Sequence, residues 1–123
     1  MEMNQIAEGV EFDTICREWR CKFSLEGNKA SLVACQIALE SVAEDLLEID
    51  GVKGVERVVC GDCLDFKVIT SVEADKFSLW KKEKFEPEEM FFEMLQVIDG
   101  VSQCETQTYT KMPVSAVEFT DED

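Results

Sequence analysis

The tetrapeptide Ile-Asp-Gly-Val at 49–52 occurs a second time at 98–101, in the other half of the chain. Each copy follows a stretch in which apolar residues have helical spacing, and each precedes a β-rich stretch. Glycine is favoured where a helix ends, because it adopts a left-handed backbone conformation without steric cost. We therefore interpret Gly51 and Gly100 as helix-ending residues rather than as a binding motif. The repeat predicts a fold built from two similar units.

The spacing of apolar residues predicts six elements in the order strand, helix, strand, strand, helix, strand. Trp19, Cys21, Phe23 and Leu25 alternate with polar residues, which is typical of a half-buried strand. The predicted elements are a strand over 18–25, a helix over 30–49, a hairpin of strands over 55–60 and 64–70, a helix from 86 to 98 and a strand over 101–114. A polar connection is expected over 74–86.

Two β-α-β halves of this kind predict an α+β fold, the ferredoxin-like plait. In this arrangement an antiparallel four-stranded sheet carries two helices on one face. We expect a flexible N-terminal segment over 1–17, a single domain over 18–114 and an acidic C-terminal tail over 115–123. The bare sheet face predicts a homo-dimer or a higher homo-oligomer, which would form a dimeric α/β barrel.

Composition limits the classes of function. The net charge is −15, with 27 acidic residues against 12 basic ones, and there is no histidine. Such a surface repels phosphate, so direct nucleic-acid binding is not expected. The lack of histidine removes histidine-dependent triads, general bases and metal sites. We expect a protein that is not an enzyme, with no catalytic residue, metal or cofactor.

No apolar run approaches the ~18 residues of a membrane span, and the first residues do not resemble an export signal. The sequence therefore predicts a cytoplasmic protein without membrane contact. In that compartment most of its six cysteines are expected to be reduced thiols.

Cys60 and Cys63 have the C-x-x-C spacing of redox pairs and of zinc half-sites, although small cysteines in a turn often have no chemistry. Cys35 lies on the apolar stripe of the first helix and is expected in the core. We expect Cys21 to lie away from Cys63, which argues against a shared metal. A redox role for Cys60 and Cys63 remains open.

Five aromatic residues follow the hairpin closely in the sequence. One interpretation is that they cover one end of the sheet, and the other is that several form a subunit interface or a ligand cleft. These residues are Phe77, Trp80, Phe85, Phe91 and Phe92.

The stretch from Leu46 to Lys111 resembles the ligand-binding RAM domain of Lrp/AsnC-type regulators. The shared features are the helix exits at 49–52 and 98–101, the Gly-turn-Asp hairpin over 60–66 and the Glu-Thr-x-Thr strand at 105–108. The resemblance implies a dimer that binds a small metabolite, often an amino acid, near an interface. Because the segment before the first predicted strand is too short for a helix-turn-helix, regulation would act through another protein. The ligand-binding residues it implies are Gly61, Asp62, Asp65, Thr106 and Thr108.

Two alternatives remain beside a small-molecule-binding regulatory module. The first is a protein-interaction or assembly-chaperone module that binds a peptide or partner on its sheet face. Chaperones of nitrate-reductase type and the exchange domains of elongation factors are similar in this respect. The second is a thiol-redox protein that uses Cys60 and Cys63.

Overall fold

The computed structural model describes residues 4–114. It contains six strands and three helices in that range. They are β1 (Asn4–Ala7), β2 (Val10–Phe12), β3 (Thr14–Lys22), α1 (Glu26–Leu47), β4 (Val52–Cys60), β5 (Asp65–Glu73), α2 (Phe77–Lys82), α3 (Glu88–Gln96) and β6 (Ser102–Lys111). No helix among the described residues is long and apolar enough to cross a membrane.

Strands β3 to β6 form one antiparallel sheet in the order β4-β5-β3-β6. The two predicted helices correspond to α1 and α3, and the predicted hairpin corresponds to β4 and β5. The ferredoxin-like α+β fold expected from the sequence is therefore confirmed.

The two copies of Ile-Asp-Gly-Val lie where the repeat predicts. The first connects the end of α1 to β4, and the second connects the end of α3 to β6. Gly51 has a φ of 86° and Gly100 a φ of 94°, so both occupy the left-handed region that favours glycine. The repeat therefore marks two equivalent turns from helix to strand.

The core lies between one face of the sheet and the helices. Trp19, Cys21 and Phe23 are 1%, 2% and 3% exposed, which confirms the predicted alternation for these three residues. Leu25, expected on the same face, lies beyond the end of β3 and is 59% exposed. Trp19 stacks on Phe91 of α3 with ring centroids 4.8 Å apart. Cys35 is fully buried, as expected from its place on the apolar stripe of α1.

The polar connection expected over 74–86 contains a short helix, α2, which sequence periodicity misses because it has few turns. Its Phe77 and Trp80 are buried, and both rings pack against Phe85 with centroids 5.6 and 5.1 Å away. These aromatic side chains cover one end of the core, as the first of the two interpretations expected.

The N-terminal region differs from the flexible segment expected over 1–17. β1 and β2 form a two-stranded antiparallel hairpin, and β3 already begins at Thr14. This segment is acidic and its apolar residues show little periodicity, so its sequence does not predict these two strands. The predicted acidic tail over 115–123 lies outside the described residues.

The expected position of Cys21 is wrong. Because β3 begins at Thr14, Cys21 is at its far end and pairs with Phe66, beside the β4–β5 turn. The next residue, Lys22, donates from Nζ to the carbonyl oxygen of Cys63 at 2.8 Å. Even so, the described residues contain no cluster of three or more side chains suited to a metal.

Four of the six cysteines are free thiols, which agrees with the expectation that most are reduced. Cys60 and Cys63 are joined by a disulfide at the β4–β5 turn. The remaining cysteines are free thiols, of which Cys16, Cys21 and Cys35 are buried and Cys104 is half-buried.

Candidate functional site on the open sheet face

The face of the sheet opposite the helices carries polar side chains from all four strands. On β3 these are Thr14, Cys16, Glu18, Arg20 and Lys22, because alternate residues of a strand point to the same face. Cys16 pairs with Ser71 of β5 on one side and with Tyr109 of β6 on the other, which brings three strands together at mid-face.

A cavity of about 430 Å³ lies at one end of this face. Its most prominent groups are the ammonium groups of Lys53 and Lys111 and the hydroxyls of Thr14 and Ser71. We call it the lysine pocket. It is completed by Asp13, Gly54, Glu56 and Pro113.

Strand register explains why the two lysines converge. Lys111 pairs with Thr14 across β6 and β3, so both side chains stand on the open face. Lys53 lies in an irregularity of the β4–β5 ladder between Val52 and Gly54. An extra residue in a strand changes the direction of its side chain, and this brings Lys53 towards the same end of the face.

The lysine side chains are held by buried hydroxyls. Lys53 Nζ donates to Thr14 Oγ1 at 2.6 Å, and Lys111 Nζ donates to Ser71 Oγ at 3.2 Å. Thr14 and Ser71 are 2% and 4% exposed, so their positions are fixed by the sheet. An ammonium has three donors, and each lysine therefore keeps donors available for a ligand.

Two carboxylates balance the lysines. Asp13 Oδ1 lies 3.6 Å from Lys53 Nζ, and Glu56 also lines the pocket. The pKa of Asp13 is lowered by the hydrogen bond that Thr14 Oγ1 donates at 2.8 Å and by the charge of Lys53. Asp13 is therefore negatively charged at neutral pH, and the pocket presents charges of both signs.

Next to the pocket, the open face contains a buried carboxylate. Glu18 is 5% exposed, and its Oε1 accepts a hydrogen bond from Tyr109 Oη at 2.9 Å. Its Oε2 has no hydrogen-bond partner within residues 4–114, although Arg20 Nη1 lies 3.5 Å away as a long ion pair. At that distance the ion pair does not replace a hydrogen bond. Glu18 Oε2 is therefore a buried acceptor whose hydrogen-bonding capacity is unused among the described residues.

The pKa of Tyr109 is raised by burial and by its hydrogen bond to Glu18. Because the chain has one tyrosine, its ultraviolet titration reports this group alone. We expect ionisation above the ordinary value of 10.0 in the folded protein and near that value in urea. The contribution of this pKa difference to the free energy of unfolding is fully present below pH 10.0. It is lost as the pH rises from there through the raised pKa of Tyr109.

The variant Glu18→Gln should lower the pKa of Tyr109, because it removes the negative charge that disfavours phenolate. Glu73→Gln, which removes an exposed carboxylate from the same face, should leave the titration unchanged. A tyrosine that titrates at its ordinary pKa in the folded protein would show that the Tyr109–Glu18 contact is absent.

The residues implicated by sequence do not form one site. Gly61 and Asp62 lie in the β4–β5 turn, and Asp65 at the start of β5 forms a 2.7 Å ion pair with Lys22. The pKa of Asp65 is lowered by this contact. Thr106 and Thr108 lie instead on the helix side of β6, and their proposed ligand role stays a prediction. Thr108 Oγ1 accepts a hydrogen bond from Arg17 Nη1 at 2.8 Å.

Sequence reasoning missed Thr14, Lys53, Ser71 and Lys111. They come from four strands, and the irregularity that includes Lys53 has no visible signal beyond its closeness to Gly51 and Gly54. Apart from its chain neighbours, no described residue comes within 4 Å of where a Cβ of Gly54 would stand, so Gly54 leaves space beside the pocket.

A larger cleft of about 1190 Å³ lies between the end of α1, α2 and α3. Half of its lining residues are acidic, among them Asp45, Glu48 and Glu93. It lacks the buried, converging hydrogen-bonding groups of the lysine pocket, and solvated carboxylates alone do not define a site. We therefore regard the lysine pocket as the candidate functional site.

No protein-family model matches this chain, and neither does any curated protein. Solved structures do share its fold. A putative antibiotic biosynthesis monooxygenase from Deinococcus radiodurans has a TM-score of 0.60 at 14% identity, over 82% of this chain and 95% of that one. SnoaB, a cofactor-independent oxygenase from Streptomyces nogalater, has a TM-score of 0.56 at 13% identity, over 85% and 98%.

A dimeric protein of unknown function with a ferredoxin-like fold, from Bacteroides fragilis, is similar at a TM-score of 0.56 and 12% identity, over 81% of this chain and 99% of that one. Together these comparisons define the class as ferredoxin-like α+β proteins. The expectation of a protein that is not an enzyme is wrong, because oxygenases are prominent among its structural neighbours. The absence of histidine does not exclude catalysis on this fold.

Proposed function

We propose that this protein is a homo-oligomer that binds a small charged metabolite in the lysine pocket. The observation that carries the proposal is the convergence of Lys53 and Lys111 on one cavity in a chain with a net charge of −15. Each ammonium is fixed by a buried hydroxyl, so the pocket is organised before a ligand arrives. A volume of about 430 Å³ suits a small organic molecule.

The charges of the pocket favour a ligand that has both a carboxylate and an ammonium group, such as an amino acid. Lys53 and Lys111 would bind the carboxylate, and Glu56 or Asp13 would bind the ammonium. A simple anion would use the lysines alone and would be repelled by the two carboxylates. A simple cation would use the two carboxylates alone and would be repelled by the two lysines.

The open face that contains the pocket also supports self-association. Glu18 has a buried oxygen that finds no hydrogen-bond partner in the part of the chain that the structure describes, and packing of a second copy on this sheet would bring donors to it. The dimeric neighbour from Bacteroides fragilis shares the fold. Sedimentation or light scattering should give a mass of two or more chains, and a strictly monomeric protein would contradict this part of the proposal.

A thermal-shift panel tests the ligand. A molecule at 100 times its Kd adds about 2.7 kcal/mol to the free energy of unfolding, so binders should raise Tm clearly. The panel pairs each amino acid with a carboxylic acid and an amine of the same carbon skeleton, and we expect the amino acid alone to bind well. The absence of any shift across the panel would contradict the proposal.

The matched variants are Lys53→Ala and Lys111→Ala, with Lys67→Ala as the control. Lys67 also stands on the open face, yet it does not line the pocket. Each pocket variant should weaken binding by about tenfold or more, since a hydrogen bond to a charged group contributes roughly 1.5–3 kcal/mol. Equal weakening by the control would indicate a general charge effect.

The oxygenases among the structural neighbours favour a second candidate, an oxygenase reaction on the molecule bound here. An oxygen electrode, with electron-rich aromatic and enolic acids as substrates, tests it. Consumption of O2 that disappears in the Lys53→Ala, Lys111→Ala double variant would support this candidate. Unchanged O2 and unchanged substrate would contradict it. The Lrp/AsnC-like regulatory role, the protein-interaction role and the redox role of Cys60 and Cys63 stay predictions.

A further inference from the structure

Two buried thiols meet between the sheet and the first helix. Cys21 comes from the end of β3, and Cys35 comes from the inner face of α1. Their Sγ atoms are 3.8 Å apart, and the residues are 2% and 0% exposed. The lysine pocket involves neither residue, since both lie on the helix side of the sheet.

We propose that Cys21 and Cys35 are a site of reversible oxidation, at which a peroxide forms a disulfide that ties β3 to α1. A disulfide has an S–S length of about 2.05 Å, so the two sulfur atoms must approach each other by about 1.8 Å. Small rotations of two side chains that already face each other can supply much of this movement.

The connection between the two cysteines gives a route for the oxidant. Gly27, Asn28 and Lys29 have φ values of 62°, 60° and 63°, which places three successive residues in the left-handed region. Asn28 and Lys29 are strained there because they carry a Cβ. All three residues are exposed, so we expect the free energy of local opening to be small at this turn. Because the turn joins β3 to α1, the two elements that carry the thiols, we expect its opening to loosen the packing around them and admit a small peroxide.

The two thiols share one hydrogen bond. It lowers the pKa of Cys35 and raises that of Cys21, with burial adding to the increase at Cys21. Either sulfur can donate this hydrogen bond, and we assign the attack to Cys35 because its pKa is the one that is lowered.

The Cys35 thiolate attacks one oxygen of hydrogen peroxide, the O–O bond breaks, and the departing hydroxide takes up the proton that Cys35 lost. Cys21 Sγ then attacks the sulfenic acid sulfur and the S–O bond breaks. The departing hydroxide takes the Cys21 proton and leaves as water. Two thiols and one peroxide thus give one disulfide and two waters.

The remaining cysteines define the competing products. Cys60 and Cys63 are already joined, and Cys16 lies on the opposite face of the sheet with its Sγ 3.4 Å from Ser71 Oγ. Cys104 packs against the same core as Cys35 and is half-buried, so it is the rival partner.

The experiment treats the whole protein with hydrogen peroxide, alkylates the remaining thiols after unfolding and maps the peptides by mass spectrometry. We expect a crosslink between the Cys21 and Cys35 peptides, a loss of two hydrogen atoms from the intact mass and a higher Tm. Cys104→Ser should still form the crosslink, whereas Cys21→Ser should not. A dithiol reductant should reverse it, in a Cys60→Ala, Cys63→Ala background that leaves no other disulfide.

Three results would overturn the proposal. They are full alkylation of both Cys21 and Cys35 after peroxide treatment, a crosslink from Cys35 to Cys104 instead, and sulfinic acid at Cys35 without any crosslink. Because the first measurement uses the unaltered chain, the test does not depend on whether a cysteine variant folds.

Discussion

Replacing Gly51 with alanine should lower the free energy of unfolding by about 2–4 kcal/mol, through backbone strain and overpacking together. Gly51 has a φ of 86°, and a Cβ there would stand 2.6 Å from the Cβ of Lys76. A Cβ cannot rotate away, so the backbone would have to move. The Gly51 carbonyl accepts a hydrogen bond from the Glu73 amide at 2.9 Å, and movement would weaken it.

Gly61→Ala is the matched control for this variant. Its φ is not in the left-handed region, and apart from its chain neighbours none of the residues 4–114 has an atom within 4 Å of the position that its new Cβ would take. It should change stability little, or raise it by up to about 1 kcal/mol through the unfolded chain. Urea unfolding measures both variants. Equal stability of Gly51→Ala and Gly61→Ala would show that the left-handed turn is not required.

Replacing Glu88 with alanine should also lower the free energy of unfolding by about 2–4 kcal/mol, because it leaves partly buried donors without an acceptor. Glu88 Oε1 accepts hydrogen bonds from Arg17 Nε at 2.8 Å and from Trp19 Nε1 at 2.7 Å, and Oε2 accepts one from Arg17 Nη2 at 3.0 Å. The Arg17 guanidinium also lies 4.0 Å from the centre of the Phe85 ring. The Glu88 carboxylate therefore links α3 to β3 through these hydrogen bonds.

The control is Glu89→Ala, which removes a carboxylate from the same first turn of α3 but from an exposed position. Its effect should stay below about 1 kcal/mol, the usual contribution of an exposed charge near a helix N-terminus. Trp19 fluorescence, with the Trp80 signal removed in a Trp80→Phe background, should change in Glu88→Ala alone. Equal losses in the two variants would indicate that α3 needs negative charge rather than this contact.

Sequence patterns predicted the parts of the fold that depend on local periodicity. The alternation of Trp19, Cys21 and Phe23 identified the buried face of β3, although that strand begins earlier, at Thr14. Helix α1 was predicted because its apolar stripe runs for many turns, whereas α2 was missed because it has few. Because the start of this strand was predicted too late in the sequence, Cys21 was expected near the start of the strand, whereas it lies near the end.

The lysine pocket was not predicted, because the sequence pointed to the hairpin at Gly61 and to the threonine strand, and it marked the open sheet face as a subunit interface. The threonine strand pointed to Thr108, yet its hydroxyl is used by Arg17 on the helix side. Lys53 reaches the pocket through an irregularity between two strands, which a pattern in one strand does not reveal. Glu18 resembled an ordinary polar residue of an alternating strand until its pairing with Tyr109 across β6 was known.

The sequence by itself determined the two-unit fold, the turns at Gly51 and Gly100 and the buried face of the sheet. These follow from helix and strand periodicity and from the conformational freedom of glycine, which act over short stretches of chain. The tertiary structure alone decided the lysine pocket, the Glu18–Tyr109 pair, the Glu88 contacts and the meeting of Cys21 with Cys35. Each of these depends on strand register and helix packing between residues far apart in the chain.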